Sequence, residues 1–378
     1  MKILVYNLKI GFVLLCASLW SLAAWADGVQ DFTKVIKKEF DINPEGLTGI
    51  SNKYGKVVVK TWDRNRTKIE VKITAKASSE EAARKVFDQI KIDFSNAPDL
   101  VRAATSIESG KSGWGWDWSW FWGSEKTEYT IDYDVTMPVK GRLDLSNKYG
   151  DSYLGTIGGR TSLTIKYGNF TIENMNDYLR FDLGYGNGTV ARSKDVSGSG
   201  SYCQLRLKDA GDVDIQTKYS KISIEQAGDV RCTSAYDSYK LGDVRDMRNQ
   251  GKYDHFEIGF AENVVMVSKY TDVSIEKLAN SADLDLDYGS ATLGHVAKGF
   301  GEVRLIGSYA DFKVKVEEGA TYQVDAQADY AGIRYPTAMQ VSFEKEEGTS
   351  HEVNGYVGQK GARSVIKARL DYGGLKVW

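Results

Sequence analysis

The residues that could do chemistry are few. Asp237 and Asp254 each follow a tyrosine and stand 17 residues apart, with His255 beside the second. If the chain repeats with that period, stacked repeats bring the two carboxylates together, and clustered carboxylates on such a face can cleave acidic polysaccharides. Lys252 and Lys269 precede the neighbouring tyrosines, so the same aspartates could instead belong to a solvated, charge-balanced ladder. The three histidines, His255, His295 and His351, form no HExxH and no paired His/Cys spacing for zinc. Neither a P-loop nor a dinucleotide fingerprint is present, so no cofactor and no metal are expected. Cys203 and Cys232 could be bridged in an oxidising compartment, but their separation of 29 residues is not a whole number of repeats. Cys232 shares parity with Val230 and reads as buried. Five of the nine tryptophans, Trp114, Trp116, Trp118, Trp120 and Trp122, alternate through Gly113–Gly123. In a strand they share one face, either a platform for sugar, lipid or a protein partner, or a hairpin folded back over an open end.

The elements that would position these groups come from a repeat. Tyrosine recurs at Tyr149, Tyr167, Tyr185, Tyr202, Tyr219, Tyr236, Tyr253, Tyr270, Tyr288, Tyr309 and Tyr330, in steps of 17 to 21 residues. Tyr54 and Tyr372 sit in the same local pattern outside this array. Apolar residues fall two and four positions before the tyrosine, as in Leu163-x-Ile165-x-Tyr167, and three and five after it, as in Ile222 and Ile224. Alternation with period two marks a strand with one buried face. The break after the tyrosine marks a corner, where Gly150, Gly168, Gly186 and Gly289 could take positive φ. The glycine-rich Gly184–Gly188 stretch falls in phase with these corners and is architecture. No single unit can bury its apolar face, so units must stack as a single-stranded, right-handed β-helix or β-solenoid with 17–21-residue coils. By parity the tyrosines are expected to point inward as a structural ladder. An exposed aromatic stripe is the alternative.

The remaining segments set the boundaries. Residues 1–26 read as a signal peptide: Lys2 and Lys9, an apolar run Ile10–Leu22, then Ala24-Trp25-Ala26. Export is preferred to a membrane anchor because the run is short of the ~20 residues a spanning helix needs. Val13-Leu14-Leu15 before Cys16 is a poor lipobox. Without residues 1–26 the chain keeps 47 basic and 51 acidic side chains, a net charge of −4, with no basic footprint for nucleic acid. Residues 27–135 are expected to form an α+β cap of strands, one helix at about 78–90 and the tryptophan hairpin 113–123. Ser78 and Glu81 have capping-box spacing for that helix. Residues 136–378 form the repeat domain, which Val365–Val377 closes. Runs of about five residues are too short for an outer-membrane barrel, whose strands need ~9–11.

The signal peptide, the Ser-Asn-Lys-Tyr-Gly segments at 51–55 and 146–150, and Asp371-Tyr372-Gly373 resemble the DUF4097-type β-strand-repeat proteins, the bacterial "putative adhesins". The resemblance implies a right-handed β-helix and an extracytoplasmic location, periplasm or cell surface, and carries over no catalytic residue. It implies an envelope structural or interaction protein whose partner is a cell-envelope protein or a glycan. A polysaccharide-binding or polysaccharide-cleaving β-helix using Asp237 and Asp254 is the alternative.

Overall fold

The computed structural model describes residues 29–108 and 128–378. The segment expected to be a signal peptide, residues 1–26, and the five alternating tryptophans therefore lie outside the described residues. The described residues fall into two compact units, residues 36–71, 92–106 and 131–378 in the larger, and the rest in the smaller.

The larger unit is all-β and its strands stack by repeat. Thr161–Lys166 pairs in parallel with Arg142–Lys148 on one side and Leu179–Gly184 on the other, so Leu163 faces Leu145 and Phe181. The second strand of each coil does the same: Phe170–Met175 lies between Ser152–Ile157 and Asn187–Ser193. Each strand thus bonds to its counterpart one coil away, which is what a 17–18-residue period of alternating residues demands. The inward positions are mostly apolar. Leu163, Ile165, Phe170 and Ile172 are at most 2 % exposed, and each fully buried side chain of this size stabilises by about 1.5–3 kcal/mol. At one rung a small residue stands beside a large one, Gly188 beside Phe170. A Cβ on Gly188 would sit 2.5 Å from the Phe170 ring, so the glycine makes the room that the phenylalanine fills.

Stacking order departs from chain order at two places. Leu47–Lys53 pairs with both Leu100–Ile107 and Arg142–Lys148, which puts the Tyr54 coil inside the array. Val365–Asp371 does not close the stack. It inserts between Glu302–Val316 and Tyr322–Asp329, in register with both. The identical local pattern gives all these strands interchangeable edges, so only long-range pairing sets their order. Beyond the coil of Tyr322–Asp329 the geometry changes. Ser350–Val357 pairs with it antiparallel, and Gln340–Glu347 pairs antiparallel with Ser350–Val357 in turn. All eight residues of Gln340–Glu347 are exposed, with Glu344, Lys345, Glu346 and Glu347 among them, charges that discourage further strand addition.

In the smaller unit a helix spans Glu80–Gln89. Its N-cap is Ser79, whose hydroxyl accepts from the Ala82 N–H at 3.2 Å. The expected box from Ser78 is therefore displaced by one residue, and position N3 is Ala82, which cannot return the bond. Ala83 is buried, and with Val86 and Phe87 it packs on Ala75, Ala77 and Phe32.

Candidate interaction surface

The tyrosine corner is the feature repeated most often. Thirteen tyrosines, the eleven of the array with Tyr54 and Tyr372, have φ between 52° and 61°. They account for every non-glycine residue of positive φ among the described residues. A left-handed residue reverses the side-chain alternation, so the parity that points Ile165 inward turns Tyr167 outward. The expectation of an inward ladder is thereby corrected. Twelve of the rings are 40–59 % exposed, with Tyr330 the most open and Tyr54 half-buried.

Two interactions hold this costly conformation. Corner N–H groups reach the neighbouring coil, as Tyr149 does to the Lys166 carbonyl and Tyr167 to the Gly184 carbonyl, both at 2.9 Å. The rings also stack on one another, centroids 4.6–5.2 Å apart and planes within 14°. That separation is the strand spacing of a sheet, so the backbone ladder sets the ring ladder. A ring pair contributes about 0.5–1.5 kcal/mol, comparable with the ~1–2 kcal/mol that a left-handed residue costs. The order along the stack runs Tyr309, Tyr372, Tyr330, following the inserted C-terminal strand.

The glycines after these tyrosines serve a different purpose from the one expected. Gly150, Gly168, Gly186 and Gly289 do not have positive φ, because the tyrosine has taken it. A Cβ at any of them would lie 1.8–2.1 Å from a carbonyl oxygen of the preceding coil. These glycines permit close stacking of coils.

Between Tyr202 and Tyr270 the position after the tyrosine is polar and points inward. Cys203, Ser220, Asp237, Asp254 and Thr271 are 1–5 % exposed. Asp237 and Asp254 are thus on one ladder, one coil apart, but neither on a catalytic face nor on a solvated one. Asp237 Oδ1 accepts the Ser220 N–H at 2.7 Å, and Oδ2 accepts the Thr217 hydroxyl at 2.7 Å and the Ala235 N–H at 3.2 Å. Asp254 repeats the arrangement, Oδ1 accepting the Asp237 N–H at 2.9 Å and Oδ2 the Ser234 hydroxyl at 2.7 Å. Burial pushes the Asp237 carboxyl up to about 6, against the lowering effect of its hydrogen bonds, and raises that of Asp254 as well. His255 is exposed and turned away, its Nε2 3.5 Å from Glu257. Carboxylates so enclosed hold the corner together and have no free oxygen to offer a substrate.

Cys203 and Cys232 are both free and buried. Desolvation raises the Cys203 thiol and pushes Cys232 up to about 12. In both, burial disfavours the thiolate that nucleophilic chemistry needs.

Lysine recurs beside the tyrosines over part of the edge. Lys53, Lys148, Lys166, Lys218, Lys252 and Lys269 each precede a ladder tyrosine, whereas Asp287, Asp329 and Asp371 take that place at the far end. The Lys148 ammonium lies 5.0 Å from the Tyr149 ring centre and 5.9 Å from that of Tyr167. Lys166 and Lys269 are paired with Asp182 and Asp287, each at 2.8 Å. On the opposite turn runs a second series that sequence reasoning passed over, Asp195, Asp212, Asp229 and Asp246. Asp195 Oδ1 accepts the Asp212 N–H at 3.1 Å, and Asp212 Oδ1 accepts the Asp229 N–H at 3.0 Å. The recurring Gly-Asp-Val at 211–213 and 228–230 was its signal.

No family model matches the chain, and no curated protein matches it. Among solved structures, a "putative adhesin" from Parabacteroides merdae aligns over 91 % of this chain and 96 % of its own, at 9 % identity and a TM-score of 0.29. A "putative cell adhesion protein" from Clostridium sporogenes aligns over 92 % and 99 %, at 9 % identity and a TM-score of 0.19. A "putative lipid binding protein" from Parabacteroides distasonis aligns over 91 % and 97 %, at 10 % identity and a TM-score of 0.25. Superpositions this loose carry no argument for what this chain does, which rests on its own residues.

Proposed function

We propose that the protein is an exported, non-catalytic interaction protein of the cell envelope, and that its tyrosine edge is the contact surface. The carrying observation is the exposed ladder itself: twelve open rings in register, five of them directly preceded by a lysine. Because the ring faces are occupied by one another, the edge presents ring rims and phenolic hydroxyls. Such a comb suits a long partner that repeats hydrogen-bonding groups at strand spacing, an envelope glycan or a protein edge. It does not suit a single sugar stacked on a ring face. The enclosed carboxylates remove the main support for the polysaccharide-cleaving alternative.

Cell fractionation with N-terminal sequencing, followed by protease shaving of intact cells, tests this function. The expected result is a mature chain beginning at Asp27 in the envelope fraction, with a triple Tyr202→Phe, Tyr219→Phe, Tyr236→Phe variant losing retention there. A full-length cytosolic chain, or undiminished retention of the folded variant, would overturn it.

A further inference from the structure

The antiparallel hairpin beyond the last coil carries a cluster that neither the tyrosine ladder nor the buried aspartates explain. Glu344 and Glu346 alternate on Gln340–Glu347 and so share one face of the strand, and Glu346 is paired directly with His351 across the hairpin. His351 Nε2 lies 3.0 Å from Glu344 Oε1 and 3.7 Å from Glu346 Oε1, and one ligand atom from each residue falls within 4.8 Å of the other two. Two like charges set side by side repel each other unless something positive sits between them. The neighbouring cation, Lys345, alternates to the other face and pairs with Glu347. His351 is largely covered, with 14 % of its side chain exposed, whereas the Glu346 side chain is 75 % open, so the cluster faces solvent on one side. Tyr335 adds an outer contact, its hydroxyl lying 3.1 Å from both oxygens of Glu344.

We propose that Glu344, Glu346 and His351 bind one divalent transition-metal ion of the zinc class. A tetrahedral ion with bonds of about 2.0–2.2 Å places its ligand atoms about 3.3–3.5 Å apart, and the observed 3.0 and 3.7 Å straddle that distance. An imidazole nitrogen with two carboxylates selects zinc or its neighbours over calcium and magnesium, which take oxygen. Three protein ligands leave a fourth position open to water or to a group from a partner. The Tyr335 hydroxyl orients the Glu344 carboxylate, as second partners of metal-bound groups do. Because the ligands come from both strands, the ion would clamp the exposed strand Gln340–Glu347 onto Ser350–Val357.

The test is titration of the mature chain with zinc against a chromophoric chelator, followed by limited proteolysis of the hairpin with and without zinc. One equivalent bound at micromolar zinc is expected, with the hairpin protected. His351→Ala and Glu346→Gln should each weaken that equivalent about 100-fold, and Tyr335→Phe about 10-fold. His255→Ala and His295→Ala should leave it unchanged. Glu346 is exposed enough that its loss cannot unfold the hairpin, so weakened binding in Glu346→Gln reports on the site itself. Absence of binding in the unaltered chain, or full binding in both His351→Ala and Glu346→Gln, would overturn the proposal.

Discussion

The corners at Tyr149 and Tyr167 and those at Tyr219 and Tyr236 follow the same left-handed turn, yet they satisfy the backbone from opposite sides. In the first pair the rungs are outside. Asp151 Oδ1 accepts the Asn169 N–H at 2.9 Å, Asn169 Oδ1 accepts the Asn187 N–H at 2.9 Å, and the inward corner position is glycine. In the second pair the rungs have moved one residue back along the chain and into the interior, where Asp237 and Asp254 accept from the corner N–H of the preceding coil. The outer arrangement keeps its charge near water and demands glycine. The inner one tolerates a side chain but buries a carboxylate, which is costly unless every oxygen is bonded. The inward residue two before the tyrosine follows suit only in part. At Tyr149 it is Asn147, donating to the Gly150 carbonyl at 3.0 Å, but at Tyr167 it is the apolar Ile165; in the second pair it is Thr217 or Ser234, donating to a carboxylate. One backbone path is therefore held by two chemistries.

The largest way to break this contrast is to put a methyl where the outer arrangement forbids it. Gly168→Ala places a Cβ about 2.1 Å from the Gly150 carbonyl oxygen, a backbone clash that no rotamer relieves. A loss of about 3 kcal/mol is expected in denaturant unfolding. Cys203→Ala, at the equivalent corner of the inner region, should cost less than about 1 kcal/mol because that corner already accommodates a Cβ. Equal effects would mean that the two corners do not differ in closeness.

Next in size is the loss of a rung. Asp237→Ala leaves the Ser220 and Ala235 N–H groups and the Thr217 hydroxyl without their buried acceptor, a cost of about 2 kcal/mol. Asp151→Ala removes an outer rung that water can replace, and about 0.5 kcal/mol is expected. Urea midpoints of the two variants compare them directly, and a larger loss in Asp151→Ala would reverse the assignment of inner and outer rungs.

How much of this was legible depends on where periodicity holds. The alternation of Leu163 and Ile165 and the even tyrosine steps specify strands, coil length and stacking, because a two-residue period has one structural meaning. The direction of the tyrosines was not legible. Parity extends a strand through Tyr167, whereas that residue is left-handed, and nothing local in Lys-Tyr-Gly distinguishes a left-handed tyrosine from a left-handed glycine. The place of Tyr372 between Tyr309 and Tyr330 was hidden for a related reason, since Asp371-Tyr372-Gly373 fits any coil edge. Asp237 and Asp254 were found by spacing, but their burial needs the corner geometry. Glu344, Glu346 and His351 came together through hairpin register alone.

The inner rungs also make stability depend on pH in an unusual direction. The Asp237 carboxyl lies at about 6 in the folded chain and at 3.8 when free, so the folded state binds more protons between those values. The contribution of this group to stability is therefore present below about pH 4 and is lost as pH rises through about 6. Asp254 acts in the same sense, and the groups packed around the pair, Thr217, Ser220, Cys232 and Tyr239, are neutral in this range. Asp237→Asn keeps the shape and removes the titration. Unfolding midpoints at pH 4.5, 5.5 and 7.5 should therefore show the unaltered chain gaining on Asp237→Asn as pH falls. A constant difference would mean that the carboxyl titrates normally.

The smallest expected effect on stability is also the one that separates architecture from recognition. Tyr219→Ala removes contacts with the rings of Tyr202 and Tyr236, 4.9 Å away on either side, and should cost about 1–2 kcal/mol. Tyr219→Phe keeps both contacts and should change stability by less than about 0.5 kcal/mol. Ring stacking alone thus does not require tyrosine, yet each of the thirteen left-handed positions carries one. Solubility of an exposed rim accounts for some of that preference. A binding edge accounts for it differently, because a partner that bonds the hydroxyls would discriminate against phenylalanine at every step. The triple phenylalanine variant sharpens the distinction: unchanged unfolding with lost envelope retention assigns the hydroxyl comb to recognition, and unchanged unfolding with full retention leaves the ladder as architecture alone.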